Sequence, residues 1–256
     1  MNPFAKLAGK LSKAEARVES VTIRDLPEIS QWMYWGSKAV RLRLIVPAEI
    51  LRMHGGFAYR SGMHPFIEAI RRGQQALSAF YDAHQPQTAA EAHWSDYPTP
   101  GIGPIELPWI VREAPNTYVG ERGLGAEHGI AMYGPCSAEK VKLEARRLKD
   151  LAEAIGREGY NPDKYGDIQG TFLRRGGDFR FFVRGGKHRA AVLGHLGADQ
   201  IPVSLTRDWP RMVDIADIEA WPLVAQGRMT ADAARAVFDC YFDMDGSRQY
   251  RMLGLV

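Results

Sequence analysis

Cysteine is nearly missing from this 256-residue chain; Cys136 and Cys240 are the two present. Two thiols build neither a disulfide framework nor a four-thiolate zinc site, and the expected setting is a reducing one, the cytoplasm. Long apolar runs are missing too. No stretch nears about 18 uninterrupted apolar residues, which argues against a membrane-spanning helix and a membrane partner. The opening MNPFAKLAGKLSKAEARVES has Lys6, Lys10 and Lys13 but no apolar run of a secretory leader. Charge of one sign is scarce: 33 Lys plus Arg against 30 Asp plus Glu leave a formal +3. That is far from the basic footprint of a duplex binder, so nucleic acid is not an expected partner. Internal repeats at 20–50-residue spacing are lacking as well. What remains is an ordinary globular composition, 45% apolar and 25% charged.

Local patterning predicts an α/β chain. Residues 4–19 are weakly amphipathic, and Val21–Ile23 reads as a short strand. Arg41 to Val46 alternates and stops at Pro47, a strand signal. Residues 55–65 are turn-rich. Pro65 is a favoured first helical residue, and Phe66, Ile70, Leu77, Phe80 and Tyr81 predict one helix running to about His84. Residues 95–108 are rich in Pro and Gly and read as a linker. The expected division is therefore a mostly helical region 1–102, a central domain 103–207 and a helical extension 208–256. A strand is expected at Ile105–Val111, then a long loop, 112–136, of the kind that is often functional. Ser137 is a suitable N-cap for a one-sided helix that stops at Gly159. Strands are expected at Asp167–Phe172 and Phe179–Arg184, joined by a Gly176-Gly177-Asp178 turn. A helix at 188–196, a strand at Ile201–Leu205 and a helix from Thr230 to about Asp243 complete the pattern.

The segment that carries most chemistry is GGDFRFFVRGGKHRAAVLGHLGADQIPVSL, residues 176–205. Gly185 and Gly186 let a ligand approach the backbone closely. The helix that follows offers unpaired N–H groups and the positive end of its dipole. Lys187, His188 and Arg189 add cationic donors, Arg as a planar fork and Lys as a point charge. An anion site for nucleotide phosphates fits this run; so does a tight turn carrying three solvated polar residues.

Gly-Gly-Lys-His-Arg after an aromatic strand, then Ala-Ala, Leu-Gly and Ile-Pro-Val, resembles the ParB/sulfiredoxin superfamily over about residues 103–207. The resemblance implies a small mixed sheet with helices. In sulfiredoxins the turn reads Gly-Gly-Cys-His-Arg and holds ATP phosphates. Lys187 stands at the reactive Cys position, so sulfinic-acid reduction is not expected. In the free serine kinases of the superfamily the turn carries His and Arg, and a loop Glu acts as base. ParB proteins bind CTP at a related turn and continue into a DNA-binding domain, which is not expected from the short segment after Arg207. The chain also resembles ParB-like proteins found near surface-polysaccharide genes, through His64-Pro65, Gly134-Pro135, Trp221-Pro222 and Phe238-Asp239.

Phosphoryl transfer needs a phosphate cradle, a metal and a group to orient or deprotonate the acceptor. The resemblance places the cradle at Gly185, Gly186, Lys187, His188 and Arg189, with Lys140 as a further basic contact. The long loop supplies Glu113, Glu121 and Glu127. Glu127 is the expected base, with His128 beside it, although a solvated loop carboxylate reads the same way. Glu144 and Arg147 lie i,i+3 on one helix, as a surface ion pair or a pair facing the cleft. Cys136 and Cys240 read as packed residues. Asp243-Met-Asp245-Gly246 lacks the later Glu of a calcium loop. His64, His84 and His93 have no metal-ligand spacing. Trp32, Tyr34 and Trp35 suit a sugar, a base or a core, and Gly55, Gly56 and Arg60 suit a lid. The expected activity is a nucleotide-dependent small-molecule kinase using ATP or ADP, with CTP a further option, and Mg²⁺. Its acceptor would be a hydroxyl of a sugar, amino acid or related metabolite, with surface-polysaccharide metabolism as one setting. The alternative is a non-enzymatic CTP- or ATP-binding regulator of ParB type, and a homo-oligomer suits either.

Overall fold

The structure is a computed structural model that describes residues 17–22, 40–60, 63–110, 123–206 and 209–256. Among these residues the chain is a mixed α/β protein. Six strands run side by side in the order β1 (Arg17–Thr22), β2 (Val40–Pro47), β6 (Gln200–Leu205), β4 (Ile168–Arg175), β5 (Asp178–Gly185) and β3 (Leu51–Arg52). A seventh, β7 (Met212–Asp214), pairs with β4 beyond the point where β6 leaves it. The sheet is mixed: β2 meets β6 and β4 meets β5 antiparallel, while β1–β2, β4–β6 and β3–β5 are parallel. Trp32, Tyr34, Trp35, Glu113, Glu121, Val111 and Arg207 lie outside the described residues.

The β4–β5 hairpin closes through Gly176 and Gly177, with Arg175 opposite Asp178. Gly176 has φ 61°, a left-handed value that suits a two-residue hairpin turn. Along β5 the side chains alternate. Phe179, Phe181 and Val183 enter one core, and Phe182 enters a second on the other face. Strand periodicity thus buries both faces of the sheet. The first face is covered by α1 (Pro65–Arg72), α2 (Gln74–Ala83), α4 (Ala138–Glu158) and α6 (Lys187–His195), which contribute Phe66, Leu77, Leu148 and Val192. The second face is covered mainly by α8 (Ala231–Asp243), with Val237, Phe238 and Tyr241 facing Trp109 and Trp221. Four short helices, α3 (Ala89–Ala92), α5 (Pro162–Tyr165), α7 (Pro222–Ala225) and α9 (Ser247–Met252), fill the connections.

Three expectations change. The helix expected from Pro65 to His84 is two helices, because Gly73 sits at φ 81°, ψ −170° and breaks the first helix; left-handed φ is what glycine supplies at little cost. Residues 105–110 form turns and no strand, with Glu106 N bonded to Gly103 O at 3.0 Å and Ile110 N to Leu107 O at 3.1 Å. Pro104 and Pro108 lack the N–H that a ladder requires, and Leu107 and Trp109 instead pack into the second core. The mostly helical N-terminal region holds for residues 65–92, whereas 17–22, 40–47 and 51–52 are strands at both ends of the sheet. The sheet therefore draws strands from both sides of residue 103.

Candidate functional site

The turn between β5 and α6 opens on a cleft of about 680 Å³. Gly186, the residue before the helix, is left-handed at φ 80°, ψ 22°. A side chain there is strained, and a Cβ would stand 2.8 Å from Arg189 Nη2. The first hydrogen bond of α6 runs from Ala190 N to Gly186 O at 2.9 Å. The N–H groups of Lys187, His188 and Arg189 precede it at the positive end of the helix dipole. The other walls are α4, the loop at Ile130–Met132, Ile105 and Tyr165. On α4 the lining residues Arg147, Asp150, Leu151 and Ala154 follow the i, i+3, i+4, i+7 spacing of one helical face. Among the described residues the lining carries four cations, Arg147, Arg184, Lys187 and Arg189, and one carboxylate, Asp150.

Beneath the cleft lies a charged cluster. The side chains of Glu144 and Lys140 are fully buried. His188 Nε2 donates to Glu144 Oε2, so Nε2 carries a proton. Arg147 Nη1 donates to Oε1 at 2.8 Å, and Lys140 Nζ stands 3.3 Å from the same oxygen. Burial alone pushes the Glu144 carboxyl up. The His188 hydrogen bond and the positive charge of His188, Arg147 and Lys140 outweigh it and hold the group down at about 2. The His188 ring stacks on Phe66, centroids 4.8 Å apart and planes 16° apart. Glu144 and Phe66 together fix the imidazole, and one anion serves three N–H donors, His188, Arg147 and Lys140.

The expected site residues divide by place. Gly185, Gly186, Lys187, His188, Arg189 and Arg147 line the cleft. Lys187 Nζ donates to Arg184 O at 2.7 Å. The Arg189 fork is turned on backbone: Nη1 donates to Tyr165 O and Nη2 to Asp167 O, each at 2.8 Å. Arg189 therefore ties α6 to the loop before β4, while its buried Nε has no partner among the described residues. Lys140 and Glu144 lie below the cleft surface. Glu127 and His128 sit on a short 3₁₀ turn outside the lining. The Glu127 side chain is 74% exposed, and His128 Nδ1 shares a 2.8 Å hydrogen bond with the Ser137 hydroxyl. Ser137 Oγ accepts from Lys140 N at 3.1 Å, as its N-cap role requires.

Cys136 Sγ donates to Ile130 O at 3.1 Å, and burial pushes its thiol up to about 12, which suits a packing residue rather than a nucleophile. Cys240 is buried. Gly55 and Gly56 form no lid: they lie in a buried 3₁₀ turn, where a Cβ on Gly56 would meet Cys240 O at 2.5 Å. His64, His84 and His93 are buried, and no group of three or more His, Cys, Asp or Glu suited to a metal occurs among the described residues. Sequence reasoning missed Asp150, Arg184 and Phe66. Asp150 carried a usable signal, three residues from Arg147 on one face of α4; Phe66 reaches the site only through tertiary packing. No helix among the described residues is long and apolar enough to cross a membrane. No family model matches the chain, and no curated protein matches it.

Proposed function

We propose that the cleft binds the phosphates of a nucleotide and that the chain is a nucleotide-dependent kinase acting on a hydroxyl of a small metabolite. The observation that carries this reading is the position of Gly186. It opens the N-terminus of a nine-residue helix onto a 680 Å³ cleft whose described lining holds four cations and one carboxylate. The resemblance of Gly-Gly-Lys-His-Arg to the ParB/sulfiredoxin turn supports the same ligand. The backbone N–H groups of α6 and the Lys187 ammonium hold phosphate oxygens. His188, clamped by Glu144 and Phe66, orients a donor at the same place. Mg²⁺ is bound in such sites by one or two carboxylates together with substrate phosphates; Asp150 is the lining carboxylate that fits this role, and the ion would supply charge neutralisation at the phosphates. As the one carboxylate in the described lining, Asp150 is also the cleft group that would take the acceptor's proton if it does not hold the ion.

The second reading, a CTP- or ATP-binding regulator without turnover, draws on the scarcity of carboxylates in the lining and on Glu127 standing outside it. Release of ADP from ATP with Mg²⁺ and pools of sugars and amino acids separates the two. The kinase reading expects acceptor-dependent ADP, a loss of at least about 100-fold in Asp150→Asn and little change in Glu127→Gln. Loss in Glu127→Gln alone would return the base to the 3₁₀ turn. Nucleotide binding without turnover in any pool would favour the regulator.

A further inference from the structure

We infer that the base of the nucleotide lies in an apolar slot of the cleft, against Leu151, Ala154 and Tyr165; this rests on the phosphate-binding reading above. The wall that α4 gives the cleft changes character along the helix. Arg147 and Asp150 come first, then Leu151 and Ala154. The charged end lies at the phosphate turn, because Glu144, which bonds Arg147, also holds His188. From Arg147 to Ala154 the helix rises about 10 Å. A nucleoside triphosphate is built the same way, charged at one end and flat and largely apolar at the other. Laid along α4 from the turn, it brings its base level with Leu151 and Ala154. Tyr165 runs beside the same stretch of helix. Its carbonyl accepts from Arg189 Nη1 at 2.8 Å, near the turn, and its hydroxyl donates to Glu158 Oε2 at 3.0 Å. Glu158 is one turn beyond Ala154 on the same face of α4. Tyr160 steadies the Tyr165 ring, centroids 6.3 Å and planes 27° apart, as does Lys164 Nζ at 5.2 Å from its centroid. Leu151 and Tyr165 also pack against the first core, so the slot is preformed, as ligand sites usually are. All three slot residues are partly exposed, and covering that apolar surface with a base is favourable. The single methyl group of Ala154 leaves room that a longer side chain there would fill.

The slot divides the affinity of a nucleotide into a phosphate part and a base part. The test is calorimetric titration of the full chain, in Mg²⁺, with ATP and with inorganic tripolyphosphate. Fully ionised tripolyphosphate carries more charge than ATP, so a cleft that reads phosphate alone prefers it. With the slot, ATP should bind the native chain at least about fivefold tighter, the lower end of what packing a base on an aromatic side chain is worth. Ala154→Leu keeps a good helix former and fills the slot. It should bring ATP to the tripolyphosphate level and leave tripolyphosphate unmoved, which also shows that the variant is folded. Tyr165→Ala removes one wall, keeps the carbonyl that Arg189 uses, and should weaken ATP in the same way. No preference for ATP in the native chain would overturn the slot and leave the phosphate site standing. An ATP preference that survives Ala154→Leu would overturn it too, because the base would then lie elsewhere. So would an equal fall for both probes in Ala154→Leu, because the residue would then act on the phosphate end or the fold. If neither probe binds the native chain, the phosphate reading itself has failed, and the slot falls with it.

Discussion

Mild acid should unfold this protein, and buried histidines set the size of the effect. His64, His84 and His93 lie at 0, 6 and 1% exposure. Burial, with the charge of His93 added in the case of His84, depresses their pKa to about 3, 4 and 4. His54, also buried and with its ring 4.6 Å from that of His93, is driven down as well. The rings of His64 and His93 are used in their neutral form. His64 Nδ1 accepts from Phe66 N at 3.2 Å and caps α1. His93 Nδ1 donates to Ala89 O, so its Nε2 accepts from the Tyr241 hydroxyl at 2.9 Å.

All these folded values lie below the unfolded value of about 6.5. The stabilisation is complete above that value and drains as pH falls toward the folded pKa. Between pH 8 and pH 5 each such histidine costs about 2 kcal/mol, because the unfolded chain has taken up its proton and the folded chain has not. The three with depressed values of about 3 to 4 sum to about 6 kcal/mol, comparable with the whole stability of an ordinary domain. Urea unfolding followed by circular dichroism at pH 8, 6 and 5 measures this directly. The stability should fall steeply between pH 6 and 5, and His93→Gln should flatten the slope by about one proton, 1.4 kcal/mol per pH unit. Stability at pH 5 within about 1 kcal/mol of that at pH 8 would refute the reasoning.

Other perturbations give distinct readouts. Glu144→Gln removes the buried anion that faces Lys140, Arg147 and His188 and should cost about 3–5 kcal/mol, seen as a lower urea midpoint at unchanged slope. Two glycine-to-alanine changes within helices should move stability in opposite directions. Gly156→Ala on α4 meets only Leu196 at 3.9 Å and should raise the melting temperature by about 2–4 °C through helix propensity. Gly194→Ala on α6 drives a Cβ to 2.5 Å from Tyr59 O and should lower it, although intrinsic propensity has the same sign at both sites.

Parts of this fold are legible in the chain because local signals and tertiary packing agree. The β4–β5 hairpin shows its Gly-Gly turn and its Phe179, Phe181, Val183 alternation. Ser137 and Gly159 mark both ends of α4, and Pro65 marks the start of α1. Gly73 is invisible to periodicity because both helices it separates send residues to one core: Phe66 and Leu77 belong to the same apolar stripe. Ile105–Ile110 carries strand-like residues, but the two prolines decide the backbone and Trp109 finds its burial against α8. In the site, the turn at 185–189 is readable because glycines and cations are adjacent in sequence. The burial of Glu144 is not, since an i,i+3 Glu-Arg pair reads the same on a surface as above a core, and its partner His188 is 44 residues away. Arg189 shows the same limit: a fork suited to phosphate is equally suited to two carbonyls, and only the path of the 165–167 loop chooses between them.

The most direct test of the central claim is thermal unfolding of the native chain and of Lys187→Glu with ATP, ADP, CTP, GTP and AMP in Mg²⁺. A carboxylate in the first turn of α6 suits the helix dipole, so the variant should keep the native melting temperature while its cleft repels phosphate. At 100-fold excess over the dissociation constant, a bound nucleotide adds about 2.7 kcal/mol, a rise of about 5–10 °C for a chain of this size. That rise is expected in the native chain with at least one nucleoside triphosphate, and its loss in Lys187→Glu. No rise with any nucleotide, or an equal rise in both chains, would contradict it.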